Sequence, residues 1–270
     1  MYKLLALDMD GTLLNSHHQI SEVNKKYLQL LHSKGVKIIL ISGREPDSLR
    51  SFSEELKIQD PLVGLNGSII TDYTGNKIYY EETIEESLVK KSIKLGQEHH
   101  TCSFVFIQNH IYTENKSDFR FKLFEKYTHS HIEEVGNLQD YLEKNHLWGK
   151  VNKILLTDNN GELLKYKEKL EEKTCRRLTI EFSLPIFLEI YNSKVSKGDA
   201  LHKLCEILDL QRNEIVAVGD GENDLSMIQY AGLGVAMENA TDILKKEANY
   251  ITLSNDNNGI SHVIQKFWNL

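Results

Sequence analysis

Two carboxylates separated by one residue, Asp8 and Asp10, stand directly behind a short apolar run, Leu4 to Leu7. An apolar run stopped by acids reads as a buried strand ending in a loop. A carboxylate leaving such a strand is costly unless something cationic meets it. Gly11 lets the chain turn sharply after the pair, and Thr12 adds a hydroxyl and a backbone amide. Three further segments have the same character. Ser42-Gly43-Arg44 follows a second apolar run, Val36 to Ile41, and offers a hydroxyl with glycine-freed amides of the kind that cradle anions. Ser196-Lys197-Gly198-Asp199 opens a helical pattern; a lysine there opposes the macrodipole, which makes sense if an anion lies nearby. Gly219-Asp220-Gly221-Glu222-Asn223-Asp224 follows Ile215–Val218. Each segment alone has an ordinary explanation as a cap, a turn or a solvated surface. Together they supply a nucleophile, an acid, a cation, an anion cradle and oxygen ligands for a hard divalent cation; magnesium suits a few carboxylates plus water and phosphate. An EF-hand loop does not fit, because its later ligand positions are missing.

The elements that must carry these groups follow from periodicity. Lys3–Leu7, Val36–Ile41 and Pro61–Leu65 read as buried strands, with a helix opening at Ser21-Glu22 and another at Pro46. Strand, helix, strand, helix, strand predicts right-handed βαβ units in a doubly wound parallel sheet, whose ligand-binding edge lies at the carboxyl ends of the strands. Ile69–Ile70 and Ile78–Tyr80 flank Thr74-Gly75-Asn76 as a hairpin. From 83 to 188 the pattern changes to α+β, with helices near Ser87–Gln97, Phe119–Tyr127 and Glu162–Glu172 and strands Ser103–Ile107 and Lys153–Thr157. This is an inserted second domain, a cap. The α/β rhythm resumes at 189–270, with a helix over Lys197–Leu208, the strand Ile215–Val218, a helix through Leu225–Tyr230 and a strand over Gly232–Ala236. The core is thus 1–82 with 189–270.

The 270 residues are 40% hydrophobic and 26% charged, with a formal net charge of -7. This acidity disfavours nucleic acid and anionic membranes as partners and requires a local cation wherever an anion binds. Three scattered cysteines make no CxxC pair and no disulfide framework, and no apolar stretch is long enough for a signal peptide or a membrane span. A cytoplasmic location is the expectation. Nothing in the sequence speaks to oligomeric state.

With these motifs the chain resembles the haloacid dehalogenase superfamily of phosphatases, in its Cof-like subfamily with a large α+β (type C2B) cap. The four matching motifs are Asp8-x-Asp10-Gly-Thr, Ser42, Lys197 and Gly219-Asp220-x-x-Asn223-Asp224. The resemblance spans the whole chain, although its motifs lie only in the core. It implies a Rossmann-like core and a magnesium-dependent phosphatase in which Asp8 forms an aspartyl-phosphate and Asp10 acts as general acid, then base. Magnesium would be held by Asp8, the Asp10 carbonyl and Asp220, with Asp224 supporting the metal shell or orienting Lys197. Ser42, Lys197 and Asn223 would hold the phosphoryl oxygens, with Thr12 and Gly43 in the same cradle. Arg44 and Asn66, which follow core strands, stand where relatives contact substrate or the closed cap. The substrate expected is a small phosphorylated metabolite, a sugar phosphate or phosphorylated cofactor, with the cap closing to exclude water.

Two other functions use similar groups. A phosphosugar mutase would share motifs and cap class. A phosphorylation-controlled binding protein of the receiver type would share the acids, hydroxyl and lysine, but its phosphorylated aspartate follows a later strand and it has no use for a cap. Within the cap, His99-His100, His129 and His131 lack the cysteines or spaced acid of a zinc site, so no metal is assigned to them. Phe104, Phe106, Phe119, Phe121 and Phe124 are expected to pack the cap.

Overall fold

The structure, a computed structural model, describes residues 2–128 and 130–270. His129 of the histidine set lies outside the described residues. The chain divides into two units, one of residues 1–80 and 196–270, the other of residues 81–195.

The first unit is built on an eight-stranded sheet in the order Tyr250–Ile251, Leu233–Ala236, Ile215–Gly219, Leu4–Leu7, Lys37–Ile41, Leu62–Gly64, Ile69–Thr71, Ile78–Glu81. The first six strands run parallel, and Ile69–Thr71 turns back antiparallel on Leu62–Gly64. Leu4–Leu7 is buried along its whole length, as a continuous apolar run between two parallel neighbours should be. From it the chain proceeds to Lys37–Ile41 on one side, while Ile215–Gly219 flanks it on the other. The loops after these strands therefore diverge, and such a switch point leaves a crevice at the carboxyl ends.

Local sequence accounts for the helices. The Ser21 hydroxyl accepts from the Asn24 amide at 3.1 Å and starts Glu22–Ser33. Pro46 occupies the first turn of Pro46–Leu56, with Asp47 beside it. Ser196 caps Lys197–Leu208 by accepting from the Asp199 amide at 3.1 Å. The expected strand Pro61–Leu65 is only Leu62–Gly64. Leu65 and Asn66 both take left-handed backbone, φ 52° and 59°, so the chain leaves the sheet there.

The second unit is a six-stranded sheet ordered Leu178–Leu184, Phe187–Asn192, Lys153–Thr157, Cys102–Ile107, His110–Thr113, Ile132–Glu134. The helices Glu86–Glu98, Leu138–Lys144 and Asn160–Thr174 bury Val89, Ile93, Leu142 and Leu170 in one cluster with Val105, Ile154 and Ile190 of the strands. Phe104, Phe106, Phe121 and Phe124 pack together, with Phe104 and Phe124 ring centroids 4.4 Å apart. Phe119 does not join them and is 77% exposed. The helix expected over Phe119–Tyr127 is the shorter Phe121–Glu125, because Asp118 accepts from the Arg120 amide and side chain and holds the preceding residues in a turn. The boundary at 188 falls inside the strand Phe187–Asn192, which pairs with two strands of this unit, so the unit runs on to Val195. No helix among the described residues is long and apolar enough to cross a membrane.

Candidate active site

Asp8 follows Leu4–Leu7, and its amide donates to the Val218 carbonyl at 3.1 Å. That bond ties the first acidic loop to the strand Ile215–Gly219, which leads into the second. Lys197, at the first position of its helix, is not solvated: its side chain is 1% exposed. Its ammonium donates to Asp8 at 2.6 Å and also to Asp224. Asp224 in turn accepts from the amides of Asp220 and Gly221, at 2.9 and 3.0 Å, which closes the acidic turn on itself. Asp8, Asp220 and Asp224 each present a carboxylate oxygen, all within 4.8 Å of one another. Residues 189 and 27 positions away thus meet Lys197 at one point on the sheet edge.

Three carboxylates against one ammonium leave an excess of negative charge. Burial pushes the Asp8 carboxyl well above its ordinary range, and Asp224 adds to the push against the counter-pull of Lys197. Burial followed by the Asp224 charge raises Asp220 to about 6. Burial would lower the Lys197 pKa, but Asp224 and Asp8 outweigh it and hold the ammonium charged. A cluster of hard oxygen donors, short of positive charge and not solvated enough to relax, is a fit for a divalent cation such as magnesium. In the second unit the His99 ring lies against Tyr166 and Lys169.

The remaining predicted residues divide into those the fold brings to this point and those it turns elsewhere. Asp10 is not in the carboxylate cluster. Its side chain is held in the fork of Arg44, with Nε donating at 2.8 Å and Nη2 at 2.7 Å, and His18 lies 3.7 Å away. Burial pushes Asp10 up, but the Arg44 bonds more than offset it and hold the carboxyl below its usual range. Thr12 is fully buried and donates its hydroxyl to Asp220 at 2.8 Å, so that hydroxyl orients a carboxylate in this structure. Gly11 has φ +81°, and a Cβ there would clash with the Asp220 carboxylate, so the two acidic loops approach only because the position is glycine. Ser42 is buried, and its hydroxyl accepts from the Arg44 amide at 3.3 Å. The Asn66 amide donates to the Ser42 carbonyl at 2.9 Å, and a Cβ on Gly43 would lie 2.9 Å from the Asn66 carboxamide oxygen, so these two loops are packed backbone to side chain. Asn223 lies on the exposed side of the turn that buries Asp224.

Residues 5–264 match the model of the haloacid dehalogenase-like hydrolases. The chain belongs to that family. It is 31% identical over 264 residues to the 5-amino-6-(5-phospho-D-ribitylamino)uracil phosphatase YcsE of Bacillus subtilis, covering 97% of this chain and 94% of that one. It is 30% identical over 289 residues to the phosphatase YwpJ of the same organism, covering 97% and 99%. Among solved structures, a haloacid dehalogenase-like hydrolase from Bacteroides thetaiotaomicron superposes with a TM-score of 0.89 at 31% identity, covering 98% of this chain and 99% of the other. This chain is accordingly a phosphatase of the haloacid dehalogenase superfamily, with the α/β core of that family.

Proposed function

We propose that this family member is a magnesium-dependent phosphatase that hydrolyses small phosphorylated metabolites through an aspartyl-phosphate on Asp8. The observation that carries the reading is the gathering of Asp8, Asp220 and Asp224 around the Lys197 ammonium. Magnesium, held by Asp8, Asp220 and Asp224 together with the Asp10 carbonyl, would supply the positive charge that lets an anionic ester approach a carboxylate. The bond from Lys197 fixes one oxygen of Asp8 and keeps the carboxylate oriented. Asp8 attacks phosphorus, and the bond to the leaving oxygen breaks as that oxygen takes a proton from Asp10. Water then attacks the phosphorus, gives its proton to Asp10, and Asp8 leaves as the free carboxylate. The Arg44 fork lowers the Asp10 carboxyl, which favours the base form that this second step needs and works against the protonated form that the first step needs. Ser42, Lys197 and Asn223, with the Gly43 and Thr12 segments, line the place for phosphoryl oxygens.

For the leaving group, the name of one relative supports a phosphorylated sugar-like or cofactor-precursor metabolite. The test is p-nitrophenyl phosphate turnover with magnesium or with EDTA, beside Asp8→Asn. Magnesium-dependent release that vanishes in the variant is the expected result; turnover surviving either EDTA or the substitution would refute the reading. A hexose 1-phosphate should then yield free phosphate, whereas its conversion to the 6-phosphate would mean transfer in place of hydrolysis.

A further inference from the structure

The two acidic loops bring carboxylate oxygens of Asp8, Asp220 and Asp224 within 4.8 Å of one another, where like charges repel. Something has to hold the loops at a fixed spacing, and the first unit contains a short segment that touches the backbone of both. After the strand Leu233–Ala236 the chain makes a tight turn, in which the Ala240 amide donates to the Met237 carbonyl at 3.0 Å. The turn hangs from the second acidic loop at two points: the Met237 amide donates to the Gly219 carbonyl, and the Thr241 amide to the Asp220 carbonyl, each at 3.0 Å. It reaches the first acidic loop through one side chain. Asn239 donates from Nδ2 to the Gly11 carbonyl at 2.8 Å. Its Oδ1 is engaged from behind by the Asn255 amide at 3.0 Å, which fixes the carboxamide plane, and Asn255 also donates to the Leu14 carbonyl at 2.9 Å.

We infer that Asn239 is a positioning residue that staples the Asp8–Asp10 loop to the Asp220–Asp224 loop and so sets the spacing of the carboxylate cluster. Gly11 takes φ +81°, a conformation with no side chain to anchor it, so the peptide between Gly11 and Thr12 is held from outside through the Gly11 carbonyl. Asn239 itself is exposed and contributes nothing to the apolar core, so its substitution perturbs the loop without removing core packing. Its relevance to magnesium rests on the proposed function above; its effect on the loop does not.

The experiment is hydrogen exchange on metal-free protein, followed at the Thr12, Leu13 and Leu14 amides, which donate to Met9 and Asp8 carbonyls within the loop. Magnesium affinity is measured on the same samples by calorimetry. Losing one net hydrogen bond should speed exchange at those amides and weaken magnesium binding by roughly three- to tenfold in Asn239→Ala. Asn239→Asp, which keeps the acceptor for Asn255 but lacks the donor for Gly11, should exchange like Asn239→Ala. Asn257→Ala, on the neighbouring exposed turn with its side chain bonded to Ser254, should behave as wild type. Unchanged exchange in Asn239→Ala would overturn the staple. So would an equal rise at the buried amides of Leu4–Leu7, since that would report a general loss of stability. A wild-type protein that binds no magnesium would sink the proposed function, while the exchange arm would still decide the staple.

Discussion

Replacing Asp220 by asparagine should make the metal-free protein more stable, not less, and only at neutral or higher pH. The Asp220 carboxyl is partly buried, accepts from Thr12, and is raised from its ordinary 3.8 to about 6 by burial and by Asp224. In the folded protein it therefore keeps its proton over a range in which the unfolded chain has lost it. For a raised acid the sign is fixed: its contribution to stability is fully present below about 4 and is lost as pH climbs through about 6. A tenfold change in acidity corresponds to about 1.4 kcal/mol, so ionising Asp220 in the folded cluster costs about 3 kcal/mol. Asparagine keeps an oxygen that can accept from Thr12 and never ionises. The assay is chemical denaturation in EDTA across this pH range, read as the difference between Asp220→Asn and wild type. That difference cancels groups that do not interact with Asp220, such as His99, whose lowered value gives the opposite slope. The two proteins should be nearly equal near pH 4, and the variant more stable by roughly 2–3 kcal/mol near pH 8. Added magnesium should stabilise wild type through binding to the folded state alone and reverse the order. A variant less stable than wild type in EDTA at high pH would refute the claim that the cluster is short of positive charge.

Lys197→Met removes the one ammonium bonded to both Asp8 and Asp224 and leaves buried carboxylates without it. Breaking a buried pair from one side costs about 3–5 kcal/mol, so a loss under ~1 kcal/mol on metal-free denaturation at neutral pH would contradict the geometry. Arg44→Ala releases Asp10 from its fork, so the Asp10 carboxyl rises. The limb of the kcat/KM profile that needs protonated Asp10 should then move to higher pH; a limb that stays in place would remove Asp10 from the acid role.

The positions of the candidate site residues were legible because each motif sits at a junction with a local signature. Leu4–Leu7 stops at Asp8, Ile215–Gly219 stops at Asp220, and Ser196 caps the helix that Lys197 opens. Such junctions depend on apolar runs, caps and glycines within a few residues, and the strand Lys153–Thr157 and the helix Lys197–Leu208 come out of the sequence at the same bounds for that reason. Where local signals were overridden, the cause was a partner far along the chain or a backbone bond. Leu65 and Asn66 leave the third strand because their amides bond the Arg44 and Ser42 carbonyls, and Phe187–Asn192 belongs to the second unit because it pairs with strands there. Residue types and their spacing along the chain nominate which residues could be nucleophile, acid, cation and metal ligand. It took the folded chain to turn Asp10 to Arg44, to send the Thr12 hydroxyl to Asp220, and to bond Asn239 to Gly11. Those choices are made between loops 34, 208 and 228 residues apart, and periodicity, which reports only on neighbours within a turn or a strand, carries no record of them.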